Sequence, residues 1–355
     1  MSARLRVQAW LAAARSLTRP RTADALVEAL ATESGLSIEG VRHALDTVLE
    51  VDRADEELDA FLAHPRLRSM GERPAVGVLL SAHVVTAPLR AIAWALAQSP
   101  VVRVRASRRA STFVRALADA APSLVALELA GEAPGDELRR LVASLPAGGA
   151  LHVYGGAQAL DAARGATAGR ADLDLELHGP GFGVIVATAA EVIEHVEAIA
   201  LDVVAFDQRG CLSPRAAIVV GDCATAATAL HEALGRLDAR IPRGALAADV
   251  RAEVTLAIET ARFAGVAHVG AGHAVLDLPE SSSLTIGPAA RVLPLVHAAD
   301  LDVALARLAP HSGQLTQIAC SEAWRARLSA IAPTCALGAM QTPPFDGPVD
   351  RRLEA

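Results

Sequence analysis

A chain of 355 residues, 52% of them hydrophobic, is long enough for two packed domains with filled cores. A net charge of −7 excludes the overall basic field that holds nucleic acid or an anionic membrane. Apolar runs such as Val76 to Leu80 and Gly183 to Ala187 have strand length, so no membrane span is expected.

The first stretch, MSARLRVQAWLAAARSL, intersperses arginines among apolar residues. That pattern suits an amphipathic helix better than a secretory signal, and the expected location is cytoplasmic. Apolar spacing of three and four predicts helices over Ile38 to Leu49 and Ala54 to Leu62, so residues 1–65 read as an N-terminal helical segment. The segment HPRLRSMGERP, His64 to Pro74, breaks the pattern.

From Ala75 short Val/Leu runs alternate with Ala-rich amphipathic stretches, as in βαβ units around a parallel sheet. Predicted strands are Ala75 to Leu80, Val101 to Arg105, Leu124 to Leu129 and Ala150 to Tyr154. The crossover helices are Leu89 to Gln98, Thr112 to Ala120 and Asp136 to Leu145. Residues 66–178 thus form a candidate nucleotide-binding domain of Rossmann type.

Residues 179–338 read as a second α/β domain. Its predicted elements are GVIVATAA, a helix from Glu191 to Leu201, a strand at Arg215 to Val220, and helices near Ala224 to Leu237 and Ala247 to Phe263. After a Gly-punctuated stretch, Gly265 to Pro279, strand and helix pairs follow at Arg291 to Val296 with Leu301 to Leu308, and Leu315 to Cys320 with Ala323 to Ile331. Prolines in the tail, residues 339–355, forbid a continuous helix there.

The four cysteines, Cys211, Cys223, Cys320 and Cys335, are too widely spaced for a CxxC motif. Neither a metal site nor a disulfide framework is expected. Cys211 stands out because FDQRGCLSP sets it beside a glycine at the mouth of a strand, where a thiol is both reachable and open to activation. An ordinary thiol, with a pKa near ~8.5, is only slightly ionised at neutral pH, and Arg209 is a cationic neighbour able to raise that fraction. Cys223, Cys320 and Cys335 lack such a setting and read as structural. The chain contains no lysine and no asparagine, so chemistry that requires either is excluded.

FDQRGCLSPRAAIVV and the tail GAMQTPPFDGP carry a resemblance to the aldehyde dehydrogenase superfamily, in particular to its fatty acyl-CoA reductase branch of the bacterial luminescence type. The resemblance extends from Ala75 to Pro348 and implies an aldehyde-dehydrogenase-like α/β fold. It implies a cytoplasmic reductase of acyl-CoA or acyl-carrier thioesters, which takes the acyl group onto Cys211 and releases a fatty aldehyde. Oxidation of aldehydes, or non-catalytic binding of acyl-CoA or nucleotide, are the alternatives, and a homo-oligomer is compatible with all three.

The same resemblance assigns further residues. Glu176 and Leu177 with Gly179, in LELHGPGFG, look like the family's glutamate-leucine-glycine-glycine motif, with His178 in place of the first glycine. Glu176 is then a candidate general base or a solvated strand residue; His178 is a rival proton carrier or a backbone-capping or surface residue. VVRVRASRRA looks like the strand end that holds the adenine ribose, with Arg105, Ser107 and Arg108 at the binding positions. Arginine where an acidic ribose-binder is usual favours NADPH over NADH. Gly155 and Gly156 open a helix whose amides suit a pyrophosphate. Thr86 occupies the position of the family's oxyanion-binding asparagine, a departure expected to cost rate.

Overall fold

The structure, a computed structural model, describes residues 1–18, 20–49, 51, 54–80, 84–107, 111–128, 134–348 and 350–352. It divides into two compact units. The first comprises Met1–Ser34, Ala44–Pro180 and Pro344–Glu354; the second comprises Gly35–His43 and Gly181–Pro343.

In chain order, the helices α1 (Ala3–Leu17), α2 (Pro20–Ser34), α3 (Ile38–His43), α4 (Ala54–Ala63) and α5 (Pro65–Met70) precede the first strand. All but α3 belong to the first unit. Then follow β1 (Val76–Leu80), α6 (Ala87–Gln98), β2 (Val102–Ala106), α7 (Ser111–Ala120), β3 (Val125–Glu128), α8 (Pro134–Ser144), β4 (Ala150–Tyr154), α9 (Ala157–Thr167) and β5 (Asp174–His178). The strands form one parallel sheet in the order β3-β2-β1-β4-β5. Every residue of β1 is buried, as a continuous apolar run demands when helices cover both faces of a parallel sheet. Helix α1 is tied to α6 by Trp10, whose ring N–H donates to the Leu89 carbonyl at 3.0 Å, and by Arg6, which donates to the Leu96 carbonyl at 2.7 Å.

The second unit holds β6 (Phe182–Thr188), α10 (Ala189–Glu194), α11 (Val196–Val204), β7 (Pro214–Val220), α12 (Cys223–Arg240), α13 (Ala248–Ala264), β8 (Val266–Val269) and β9 (Ala274–Leu278). It continues with β10 (Val292–Ala298), α14 (Leu301–Leu308), β11 (Leu315–Cys320), α15 (Glu322–Leu328) and β12 (Thr334–Cys335). Its sheet runs β12-β11-β6-β7-β10-β9-β8, parallel except at the β8/β9 pair. That antiparallel pair is what the Gly-punctuated stretch becomes. The helix expected over Glu191 to Leu201 is in fact two, because His195 (φ −104, ψ 17) leaves helical geometry between them. A capping box of Thr188 and Glu191 starts the first of the two. Among the described residues no helix is long and apolar enough to cross a membrane.

Candidate active site

Cys211 sits half-buried in the turn that leads into β7. The amide of Ser213 donates to the Gly210 carbonyl at 3.1 Å, closing a four-residue turn with Cys211 at its first corner. The approach to this turn is unusual: Phe206, Asp207 and Gln208 have φ of 53°, 51° and 63°. Three successive left-handed non-glycine residues cost about 1–3 kcal/mol each unless the surroundings hold them there.

The surroundings do so through buried polar side chains. The amide of Gln208, fully buried, donates to the carbonyls of Pro214 (2.7 Å) and Val292 (3.2 Å) and accepts from the Val292 N–H (2.7 Å). It thereby joins the first residues of β7 and β10. Asp207 accepts from Arg291 at 2.8 Å and from the Gly244 amide at 3.1 Å. On the other flank the Thr316 hydroxyl, from β11, donates to the Cys211 carbonyl. Its neighbour Gln317 donates to the carbonyls of Leu212 (3.1 Å) and Met340 (2.7 Å). Gly183 admits the turn closely, since a Cβ there would lie 2.7 Å from the Leu212 carbonyl oxygen. Asp207, Gln208, Thr316 and Gln317 were missed by sequence reasoning; the signal at hand was the polar pair Asp-Gln following an apolar helix.

Arg209, the expected activating cation, places its guanidinium 3.2 Å from the Asp207 carboxylate and donates to the Phe206 carbonyl at 3.2 Å. The other three thiols are held in the neutral form. Burial pushes Cys320 up to about 11 and Cys335 up to about 12. Burial, aided by Asp277, raises Cys223 further. Thiols held so far above neutral pH are poor nucleophiles.

In the first unit the nucleotide-type residues gather at the carboxyl ends of the strands, where open parallel sheets bind ligands. Arg105, near the end of β2, donates to Glu137 of α8 at 2.9 Å and 2.7 Å. Both side chains are largely buried, and the second carboxylate oxygen of Glu137 has no hydrogen-bond partner among the described residues. Just beyond β2 the Ser107 hydroxyl is buried and likewise without a hydrogen-bond partner among the described residues. Arg108 lies outside the described residues. The Gly155 amide donates to the His178 carbonyl at 3.1 Å, while Gly156 is the N-cap of α9 and has open space where a side chain would stand.

Thr86 precedes α6, nearly buried, and its hydroxyl makes no capping hydrogen bond. Glu176, on β5, is not the solvated residue weighed above: its side chain is 11% exposed, 2.9 Å from Arg66 and 3.1 Å from His152. Burial raises its pKa, but the opposing pull of His152 and Arg66 prevails and leaves the carboxyl at about 2. Such a group stays ionised and accepts protons weakly near neutral pH. His178 is not at the surface; it is buried against the Tyr154 ring, and burial lowers it to about 3, so it stays neutral at physiological pH. Cys211 belongs to the second unit; Thr86, Arg105, Ser107, Gly155, Gly156 and Glu176 belong to the first.

Comparison with known proteins identifies this architecture. An oxidoreductase from Marinobacter aquaeolei is similar with a TM-score of 0.70 at 12% identity, covering 99% of this chain and 83% of that one. An NAD-dependent benzaldehyde dehydrogenase from Corynebacterium glutamicum is similar with a TM-score of 0.65 at 14% identity, over 96% of this chain and 83% of that one. An NADP dependent enzyme from E. coli is similar with a TM-score of 0.66 at 14% identity, over 94% and 78%. No curated protein sequence matches. The family model described as "Acyl-CoA reductase (LuxC)" matches residues 58–345. With the aldehyde-dehydrogenase-like fold and that match over most of its length, the chain belongs to the LuxC acyl-CoA reductase family.

Proposed function

We propose that this acyl-CoA reductase works through an acyl-Cys211 intermediate. The observation that carries the reading is the clamped turn: three left-handed residues and four buried polar side chains hold one half-buried thiol at the mouth of β7. Precise placement of a nucleophile is worth several kcal/mol of the barrier, which gives a reason for keeping a strained approach. The Cys211 thiolate attacks the thioester carbonyl carbon, a new carbon–sulfur bond forms, and the carrier thiolate leaves and takes a proton from solvent. The acyl group is then held on Cys211 as a thioester, whose carbonyl is a good hydride acceptor.

A nicotinamide cofactor, when bound, supplies the hydride that turns this acyl group into an aldehyde. The residues at the ends of β2 and β4 fit its adenosine half. Among the described residues the buried Ser107 hydroxyl and Glu137 oxygen have no hydrogen-bond partner and suit a ligand, and the open face of Gly156 leaves room for a pyrophosphate at the start of α9. NADPH is the proposed donor, gripped at its 2′-phosphate by Arg105. NADH is the second reading, favoured by the free Glu137 oxygen, which suits a 2′-hydroxyl. Similarly folded proteins include one described as NAD-dependent and one as NADP dependent, so the fold leaves the choice to these side chains.

Incubation with a long-chain acyl-CoA and no cofactor is expected to leave an acyl mass adduct on the Cys211 peptide. Addition of NADPH is expected to discharge it as aldehyde. An adduct of equal abundance in Cys211→Ala sinks the reading.

A further inference from the structure

Strands β4 and β5 pair in register, His152 opposite Glu176 and Tyr154 opposite His178. With a side-chain period of two, these four share one face of the sheet, while Leu151, Val153, Leu175 and Leu177 pack into a core cluster on the other. On the polar face His152, Glu176 and His178 each offer a ligand atom within 4.8 Å of the others, with His152 Nδ1 3.1 Å and His178 Nε2 3.9 Å from Glu176 Oε2. Among the described residues none of these atoms finds an aligned hydrogen-bond partner, although both imidazoles are almost wholly buried.

The tautomer of His152 sharpens this. Gln98 Nε2 donates to the Trp94 carbonyl at 3.1 Å, which turns Gln98 Oε1 toward His152 Nε2, 3.2 Å away. The hydrogen of a neutral ring therefore sits on Nε2, and Nδ1 presents a lone pair. That nitrogen stands 3.1 Å from a carboxylate oxygen: a protonated ring makes the contact an ion pair, and a neutral ring makes it a gap that a metal cation can fill. The outer atoms of the cluster are backed as metal ligands usually are: Arg66 holds Glu176 Oε1 at 2.9 Å, and Asp350 lies 3.9 Å from His178 Nδ1.

We propose that His152, Glu176 and His178 form a binding site for a divalent transition-metal ion of the zinc class. Two imidazoles and one carboxylate are the donor set such ions favour. Metal–ligand bonds of about 2.0–2.2 Å place neighbouring donors roughly 3.4 Å apart in a tetrahedron. The His152–Glu176 separation of 3.1 Å matches, and the His178–Glu176 separation of 3.9 Å closes with a small ring rotation. Three protein ligands leave a fourth position for water. A pocket of about 390 Å³, lined by Arg66, Asp174, Leu175, Glu176 and Leu177, borders Glu176. This site stands independently of the role given to Cys211.

The test is zinc titration of the chelator-stripped full chain by calorimetry, with cobalt(II) absorption as a second readout. The wild type is expected to bind one zinc ion and to give a d–d spectrum of nitrogen and oxygen donors. His152→Ala and His178→Ala are expected to weaken binding at least about hundredfold, and Gln98→Leu, which frees the tautomer, about ten- to hundredfold. His231→Ala, in the separate imidazole group of His231, His268 and His273 in the second unit, is expected to leave binding unchanged. No zinc uptake by the wild type, undiminished uptake by the folded His152 and His178 variants, or loss with His231→Ala overturns the proposal. If the ligand variants do not fold, the wild-type stoichiometry and cobalt spectrum decide alone.

Discussion

Asp207 and Arg291, 84 residues apart, are both left-handed, both buried, and bound to each other through two contacts of 2.8 Å and 2.7 Å. Arg291 also donates to Asp238 at 3.0 Å and to the Ile241 carbonyl at 2.7 Å. The backbone strain on the approach to Cys211 is thus offset by a charged pair that closes only when β10 is in place. Removal of Asp207 leaves Arg291 with Asp238 as its remaining carboxylate partner and the Gly244 amide without its acceptor. Asp207→Ala is expected to destabilise the protein by about 1–3 kcal/mol, read as a lowered urea midpoint. An unchanged midpoint refutes that account of the turn.

Gln208→Leu keeps the volume but leaves the Val292 N–H and two carbonyls without their partner. A loss of about 1–3 kcal/mol is expected in thermal unfolding. Thr316→Val removes only the hydroxyl that holds the Cys211 carbonyl. Its expected signature is different: a melting temperature close to wild type, with slower acylation of Cys211 in a single-turnover experiment.

Burial raises the Asp202 carboxyl to about 7, against the Met340 and Gln341 amides that donate to it at 3.1 Å each. The unfolded value is about 3.9, so the native state holds this proton more tightly than the unfolded chain. The stabilisation from this group is therefore complete below about pH 4, declines as pH rises toward about 7, and is gone above it. The slope is at most about 1.4 kcal/mol per pH unit. Asp202→Asn, which cannot titrate, is expected to lose stability relative to wild type most at pH 4 and least at pH 8. Urea unfolding of both proteins across that range checks it; a constant difference contradicts the assignment.

Glu137 holds the Arg105 guanidinium, so on the proposed NADPH reading it competes with the 2′-phosphate for it. Glu137→Gln is expected to raise the NADPH to NADH ratio of kcat/KM at least about tenfold. That corresponds to one charge-assisted hydrogen bond of about 1.5–3 kcal/mol made available to the phosphate. Steady-state kinetics with both cofactors measures it, and a ratio that does not move places the 2′-position elsewhere.

Much of the scaffold was legible along the chain. Short apolar runs such as Val76 to Leu80 and Ala150 to Tyr154 can be satisfied only as strands buried on both faces, and these appear with boundaries shifted by a residue at most. The two-helix break at His195 was not legible, because the local apolar spacing continues across it and only the backbone at that residue departs. Of the site, FDQRGCLSP marked the thiol through its neighbours in sequence. His152 was not singled out along the chain and joins Glu176 and His178 only because strand pairing puts β4 beside β5.

The amino-acid sequence by itself determined the α/β class, the kinship with acyl-CoA reductases, and the single cysteine in an active-site-like segment, because these depend on local periodicity and contiguous motifs. Tertiary structure decided which charges meet. Arg105 faces Glu137, Asp207 faces Arg291, and Glu176 lies between Arg66 and His152. Each of these pairs joins residues from different elements, and electrostatic energy depends on distance in space and on burial, neither of which a linear pattern contains.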